Sequence, residues 1–176
     1  MSICGREKMS KKKRIILVIV GTVIALSALL FYWDHQTVTP SQELDKSLRY
    51  ELAHMDNEYF EYDFAVVSYR LFKINELRDE ADIYGMFYIE QYEDNGNSIN
   101  GYLDYMKVTM KKNGDQYKLD KVWTPKDGDQ YQTSLLKEFP INTWSRILLT
   151  GDRYRLELVK EGRQQYEEYI LDNSKK

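Results

Sequence analysis

The sequence predicts an α+β domain carried behind a single apolar N-terminal helix. Three observations lead there. Ile15 to Trp33 is a run of 19 residues without a charge. Four later stretches are rich in Tyr, Phe, Val and Ile and alternate with a period near two. Segments with apolar residues at helical spacing stand before and after those four.

The apolar run, IILVIVGTVIALSALLFYW, departs from strong apolarity only at Gly21, Thr22 and Ser27. As a helix rising about 1.5 Å per residue it measures about 28 Å, close to the ~30 Å hydrocarbon core of a bilayer. Tyr32 and Trp33 stand where an interfacial aromatic belt belongs. Arg6, Lys8, Lys11, Lys12, Lys13 and Arg14 precede the run against Glu7 alone, a balance of +5. By the positive-inside bias, residues 1–14 are then a cytoplasmic basic tail, 15–33 a transmembrane anchor, 34–40 a linker and 41–176 an extracytoplasmic domain. A cleaved signal peptide is the rival, with Ala25-Leu26-Ser27 as a loose cleavage site. Against it, Leu29-Leu30-Phe31-Tyr32-Trp33 prolongs the run, and no Cys follows to make a lipoprotein box. Met9-Ser10-Lys11-Lys12-Lys13 also has the texture of a start, so both Met1 and Met9 stand as candidate first residues.

Past the anchor the balance reverses, with 19 basic against 27 acidic residues. That excess of acid opposes phosphate-neutralising contacts, so nucleic acid is not an expected partner. Cys4 is the only cysteine, which excludes an internal disulfide. From Asp34 onward 143 residues remain, enough to bury roughly two thirds of their unfolded surface and to dispense with staples.

Thr39-Pro40-Ser41-Gln42 reads as an N-cap, a first-turn proline and a reciprocal Gln at the third position. Leu44, Leu48, Leu52, Met55 and Tyr59 follow as one stripe, with Glu43, Asp45, Lys46, Arg49 and Glu51 off it. Four strands come next: Tyr62 to Ile74, Ile83 to Glu93, Tyr102 to Lys112 and Gln116 to Thr124. On the third, Tyr102, Met106, Val108 and Met110 share a face; on the fourth, Tyr117, Leu119, Lys121 and Trp123 do. Asn113-Gly114 is a strong hairpin signal, and Asp94-Asn95-Gly96-Asn97 a looser turn, so the strands form an antiparallel meander. After Pro125, Thr133 to Phe139 is a short helix stopped by Pro140, and Asn142 caps another through Leu149. Gly151 separates it from a C-terminal helix over Asp152 to Leu171, for which a hairpin turning at Glu161-Gly162 is the alternative.

A helix, a four-stranded curved meander and trailing helices are the arrangement of the cystatin-like and nuclear-transport-factor-like superfolds, which serve enzymes, binders and spacers alike. The stretch from Tyr117 to Pro140 holds a Trp, then Pro-x-Asp-Gly-x-x-Tyr, then a short helix ending Phe-Pro, with a charged helix after it. This pattern resembles a segment of membrane-anchored extracytoplasmic proteins of Gram-positive bacteria, and covers about 60 residues with the final helix included. Similar segments occur as extracytoplasmic tails of antirepressor-type sensor proteins. The resemblance implies location and architecture, and brings no activity and no functional residues.

Motifs for chemistry are sparse. Ser134-Leu-Leu-Lys137 matches Ser-x-x-Lys, but Lys126-Asp127-Gly128 is not the accompanying Lys-Thr-Gly and no Ser-Asp-Asn is present. His35 and His54 are the only histidines and have no ligand companions at zinc spacing. Asp127, Asp129, Asp94, Asn95 and Asn97 lack the order of a calcium loop, and turn chemistry accounts for them. No enzyme class, metal or cofactor is therefore expected.

Tyrosine is the unusual component, with 14 of its 15 copies after Trp33. Tyr84, Tyr88 and Tyr92 share a face of the second strand, with Tyr102 expected nearby across the hairpin. Packing in a half-buried sheet is the plainer reading. The functional one is a tyrosine-lined face, joined by Trp123, Asp127 and Tyr131, that grips an envelope protein or a cell-wall glycan. The expected function is non-catalytic binding at the cell envelope. A sensory or regulatory subunit of a membrane complex is the alternative, and a small enzyme the third.

Overall fold

The structure is a computed structural model that describes residues 11–34, 38–55, 62–93 and 95–174. The chain forms two compact units, residues 1–36 and 37–176. The first contains α1 (Lys11–Asp34), a continuous helix in which Thr22 and Ser27 donate their hydroxyls to the carbonyls of Val18 and Val23. Ile16 to Val20, Val23, Ile24 and Leu26 are all at least half exposed within that unit. Among the described residues no helix is long and apolar enough to cross a membrane. The described side chains of α1 stop at 28, so both ends of the expected span, with its Tyr32 and Trp33 belt, lie outside them.

The second unit is the expected α+β domain. Its elements are α2 (Gln42–Ala53), β1 (Phe64–Leu77), β2 (Glu80–Tyr92), β3 (Ser98–Asn113), β4 (Gln116–Trp123), α3 (Tyr131–Glu138) and α4 (Trp144–Asn173). The strands make one antiparallel sheet in chain order, as a meander requires. Gly114, at φ +64°, supplies the left-handed residue of the β3–β4 hairpin.

Each face of the sheet builds a core of its own. On one side Leu44, Leu48 and Leu52 of α2, all fully buried, meet Val67, Ile83, Phe87, Ile89, Met106, Val108 and Met110. On the other, Leu135, Phe139, Ile147 and Leu158 of the helical C-terminal half meet Phe72, Tyr84, Met86 and Tyr105. Met55 packs at the margin of the first core, and Tyr59 lies outside the described residues.

Four local expectations are corrected. The N-cap of α2 is Ser41, whose Oγ accepts from the Leu44 N–H at 3.3 Å, and not Thr39. The C-terminal helix is one 30-residue element from Trp144, with Gly151 inside it. Gly151 serves close packing inside the helix: a Cβ on it would lie 2.5 Å from the Tyr105 hydroxyl. Tyr102 pairs with Ile89 and so stands on the α2 side, away from Tyr84, Tyr88 and Tyr92. Finally, a bulge in β4 pairs Lys121 with Thr109 but Leu119 with Met110, which changes the parity at Asp120. Tyr117 and Leu119 therefore pack with the α2 core, and Trp123 with the opposite one.

Side chains, most of them from helices, cover much of the sheet's two outer edges. On β1 the outward carbonyls of Val67, Tyr69 and Phe72 accept from Arg49, Arg70 and Arg146, at 2.6, 3.2 and 3.2 Å. Gln165 of α4 adds an amide that faces both the N–H and the C=O of Val67. On β4 the outward N–H groups of Tyr117 and Leu119 donate to Ser47 and Glu51 of α2, each at 3.2 Å. Side chains thus take the place of a further strand.

Candidate functional site: the cleft between α2 and β4

The same contacts that close the β4 edge leave a cleft of ≈ 570 Å³ between α2 and the β3–β4 hairpin, lined by Glu43, Lys46, Ser47, Tyr50, Glu51, Asp115, Gln116, Tyr117 and Lys118. Its volume falls within the range of small-ligand sites. Tyr50 is off the buried stripe of α2 and 57% exposed, although its ring is held in place. His54 stacks on it at 4.3 Å between centroids, and the Lys118 ammonium lies 5.6 Å from its centre. One turn of helix separates Ser47 from Glu51, so both face the hairpin. Glu51 accepts from Lys118 Nζ at 2.8 Å and from the Leu119 N–H, which fixes the carboxylate. That hydrogen bond and the charge of Glu51 raise the Lys118 pKa, keeping the ammonium charged.

The lining therefore offers an exposed phenol ring, an amide, a hydroxyl and charges of both signs, three acidic and two basic. Groups of this kind can hydrogen-bond and stack. Glu51 and Ser47 are engaged with the main chain of β4, and among the described residues no three His, Cys, Asp or Glu come together as metal ligands.

The six residues singled out from the sequence lie elsewhere. Tyr84 is 6% and Tyr92 9% exposed, and Tyr88 is half-buried, because Phe139 at the end of α3 covers the first and α4 lies over the other two. Tyr84 meets Phe139 edge-on at 5.4 Å, and Tyr92 stacks on Tyr166 at 4.2 Å. The hydroxyls of Tyr88 and Tyr92 both donate to Glu90. Trp123 packs 6.3 Å from Phe139 and borders a hollow of ≈ 420 Å³ against α3. The Tyr131 hydroxyl donates to Asp104, which also accepts from the Tyr105 N–H at 2.7 Å. Asp127 is exposed at the start of a short turn and belongs to neither group. Tyr84, Tyr88, Trp123 and Tyr131 are thus joined as one layer packed beneath α3 and α4 and do not form an open tyrosine face among the described residues.

Ser134 of the Ser-x-x-Lys pair is a turn fastener, accepting from the Lys126 N–H and donating to the Tyr131 carbonyl, each at 2.9 Å. His35 lies outside the described residues. Of the cleft, the sequence carried one usable signal, the i, i+4 pair Ser47 and Glu51 beside the leucine stripe; that Tyr50 meets Lys118 depends on where the hairpin ends, which no local pattern states. Comparison of the chain with family models, with curated proteins and with solved structures returns no match.

Proposed function

We propose that this chain is a single-pass, membrane-anchored binding module of the bacterial cell envelope, non-catalytic, with its α+β domain outside the cell and the α2–β4 cleft as its binding site. The ligand class is a neutral polar molecule with an apolar face, and a cell-wall glycan fits that description. The observation that carries the reading is Tyr50, an exposed ring braced by His54 and Lys118 among hydrogen-bonding groups. The anchor rests on the uncharged run, the basic residues before it and the back-bonded hydroxyls of Thr22 and Ser27, which ask nothing of a lipid surrounding. A finer fold assignment, to the cystatin-like or nuclear-transport-factor-like superfolds, is part of the same reading and is supported by a single helix seated on one face of a four-stranded meander. Membership among the membrane-anchored proteins of Gram-positive bacteria is likewise proposed, on the Trp123 to Pro140 pattern.

Binding of the full chain to insoluble cell-wall material tests the site. Wild type should sediment with the wall fraction, and Tyr50→Ala should lose at least tenfold in affinity with an unchanged circular dichroism spectrum. Equal sedimentation of the two would remove the cleft as the site. A reporter fused after Lys176 tests the address separately, and activity only in the cytosol would overturn it.

A further inference from the structure

Asn-Gly occurs three times in the domain, at Asn95-Gly96, Asn100-Gly101 and Asn113-Gly114. Glycine has no Cβ, so the nitrogen after each asparagine is open to the approach of the side-chain carbonyl carbon. The fold treats the three differently. In the link between β2 and β3, Asn95 Nδ2 donates to Glu93 at 2.7 Å and its Oδ1 accepts from the Asn97 N–H at 2.8 Å. The following nitrogen is bound as well, since the Gly96 N–H donates to the Glu93 carbonyl at 2.9 Å, and the Tyr166 hydroxyl of α4 sits against Gly96. Asn100 lies inside β3, paired with Gln91, and the Gly101–Glu90 pair follows it. Extended backbone held in a ladder cannot fold that side chain onto the next nitrogen without breaking pairs. Asn113 stands instead at the tip of the β3–β4 hairpin, where the two-residue turn Gly114-Asp115 follows the closing pair Asn113–Gln116. Gly114 has φ +64° and Asp115 is not left-handed, the pattern of a hairpin turn with glycine at its first central position. All four residues are exposed, and nothing stands within 4 Å of where a Cβ on Gly114 would be. Among the described residues no group hydrogen-bonds the Asn113 side-chain amide, and no main-chain carbonyl accepts from the Gly114 N–H.

We propose that Asn113 is a site of spontaneous modification, losing its side-chain amide through a cyclic imide formed with the Gly114 nitrogen. Hydroxide takes the proton of the Gly114 N–H, the nitrogen attacks the Asn113 side-chain carbonyl carbon, and ammonia leaves as its bond to that carbon breaks. Water then opens the imide at one of its two carbonyls. One opening leaves an aspartate at position 113; the other leaves an isoaspartate, with the main chain routed through the former side chain. To reach the imide only the closing pair Asn113–Gln116 has to open, and the end of a ladder is where local opening is easiest. Either product sets a new carboxylate beside Asp115, and isoaspartate adds a methylene to the main chain of the tip. Tyr117 and Lys118 follow closely, and through them the hairpin meets Ser47 and Glu51 of α2. The reaction therefore alters the chain at the rim of the α2–β4 cleft. The inference itself does not rest on the cleft being a binding site, or on the anchor.

The test holds the full chain, in detergent, in a mildly alkaline buffer and follows the amide-to-acid mass shift at each of the three positions by peptide mapping. In the folded chain Asn113 should convert about tenfold faster than either of the others, or more, the factor by which more than one ordinary hydrogen bond disfavours a reacting conformation. In urea the three rates should draw together, because each asparagine is then followed by the same unconstrained glycine. Asn113→Gln, an exposed change at a turn, should remove the early mass gain of the intact protein. If Asn95 or Asn100 keeps pace with Asn113 in the folded chain, or if the three differ as widely in urea as in the fold, the turn does not select the site and the proposal fails. An early mass gain as fast in Asn113→Gln as in wild type would overturn it equally.

Discussion

The ring of Tyr88 lies on the α-carbon of Gly162, so close that a Cβ on that glycine would overlap two ring carbons and stand 3.3 Å from Val66 Cγ2. α4 is therefore pressed onto β2 at a point where only a hydrogen separates helix from ring. Elsewhere in a helix Gly→Ala gains about 1 kcal/mol of propensity. Here overpacking at the upper end of about 1–3 kcal/mol opposes it, because the ring is met at two carbons, so Gly162→Ala should lower stability by up to about 2 kcal/mol in urea unfolding. Tyr88→Leu should restore part of the loss, and a double-mutant cycle that returns no coupling would show that the contact does not limit the packing.

How far the sequence reaches is visible in the same helix. Period 3.6 and period 2 are local, and they located α2, the four strands and the hairpin at Asn113-Gly114 within a few residues. Gly151 reads locally as a break, yet it sits inside α4, as Gly162 does in the helix expected there, and both are held against strands far away in the chain by Tyr105 and Tyr88. The bulge at Asp120 is equally unreadable: one extra residue leaves composition unchanged while moving Trp123 to the other face. The tyrosine excess was a real signal of packing, since Tyr84, Tyr88, Tyr92 and Tyr131 seat the helical layer. The cleft residues were read only as the polar side of a helix and the tip of a hairpin.

The start of α2 gives a prediction that separates two hydroxyl residues on either side of Pro40. Ser41 Oγ accepts from the Leu44 N–H, an otherwise orphaned donor of the first turn. Ser41→Ala should cost about 1 kcal/mol. Thr39→Ala should lie within about 0.5 kcal/mol of wild type, as surface changes usually do. Thermal melts of the two variants check this, and the reverse order would move the cap back to Thr39.

Tyrosine burial makes stability fall in alkali. Burial pushes the Tyr105 hydroxyl from 10.0 up to about 12, and Tyr88 is raised as far, by burial and then by its bond to Glu90. Tyr92 and Tyr131 move the same way, each by burial and then a carboxylate partner. Between pH 10 and 12 the folded chain thus holds protons that the unfolded chain has released. The stabilisation is complete below pH 10 and drains away as pH rises. The melting temperature should drop steeply over that window, and less so in Tyr105→Phe. At the other end, burial would raise Glu90, but hydrogen bonds from Tyr88, Tyr92 and Ser98 outweigh it and lower its pKa. Its contribution is present above the ordinary value of 4.5 and is lost as pH falls through the depressed one. Glu90→Gln should flatten that acid limb, and an unchanged limb would show that the triad does not stabilise the fold.

Gln165 offers the sharpest test of how the β1 edge is closed. Its amide oxygen accepts from the Val67 N–H and its amide nitrogen faces the Val67 carbonyl, both at 3.4 Å, while the nitrogen also donates to Ser68 Oγ at 2.9 Å. Val67 and Ser68 are buried, so these groups have little water to fall back on. Gln165→Glu keeps the shape and the acceptor but replaces the donating nitrogen with a charged oxygen that faces a carbonyl. At pH 7 it should cost about 1–3 kcal/mol. Protonation of the new carboxyl restores a donor, so the deficit relative to wild type at the same pH should shrink as pH falls toward 4. Gln165→Met removes donor and acceptor together and leaves Val67 partly bare. Its mark should be faster aggregation on partial unfolding, read by light scattering, because an uncovered edge strand is a template for another chain. If the deficit of Gln165→Glu stays constant with pH, the amide closes the edge by its bulk alone and the hydrogen bonds are incidental.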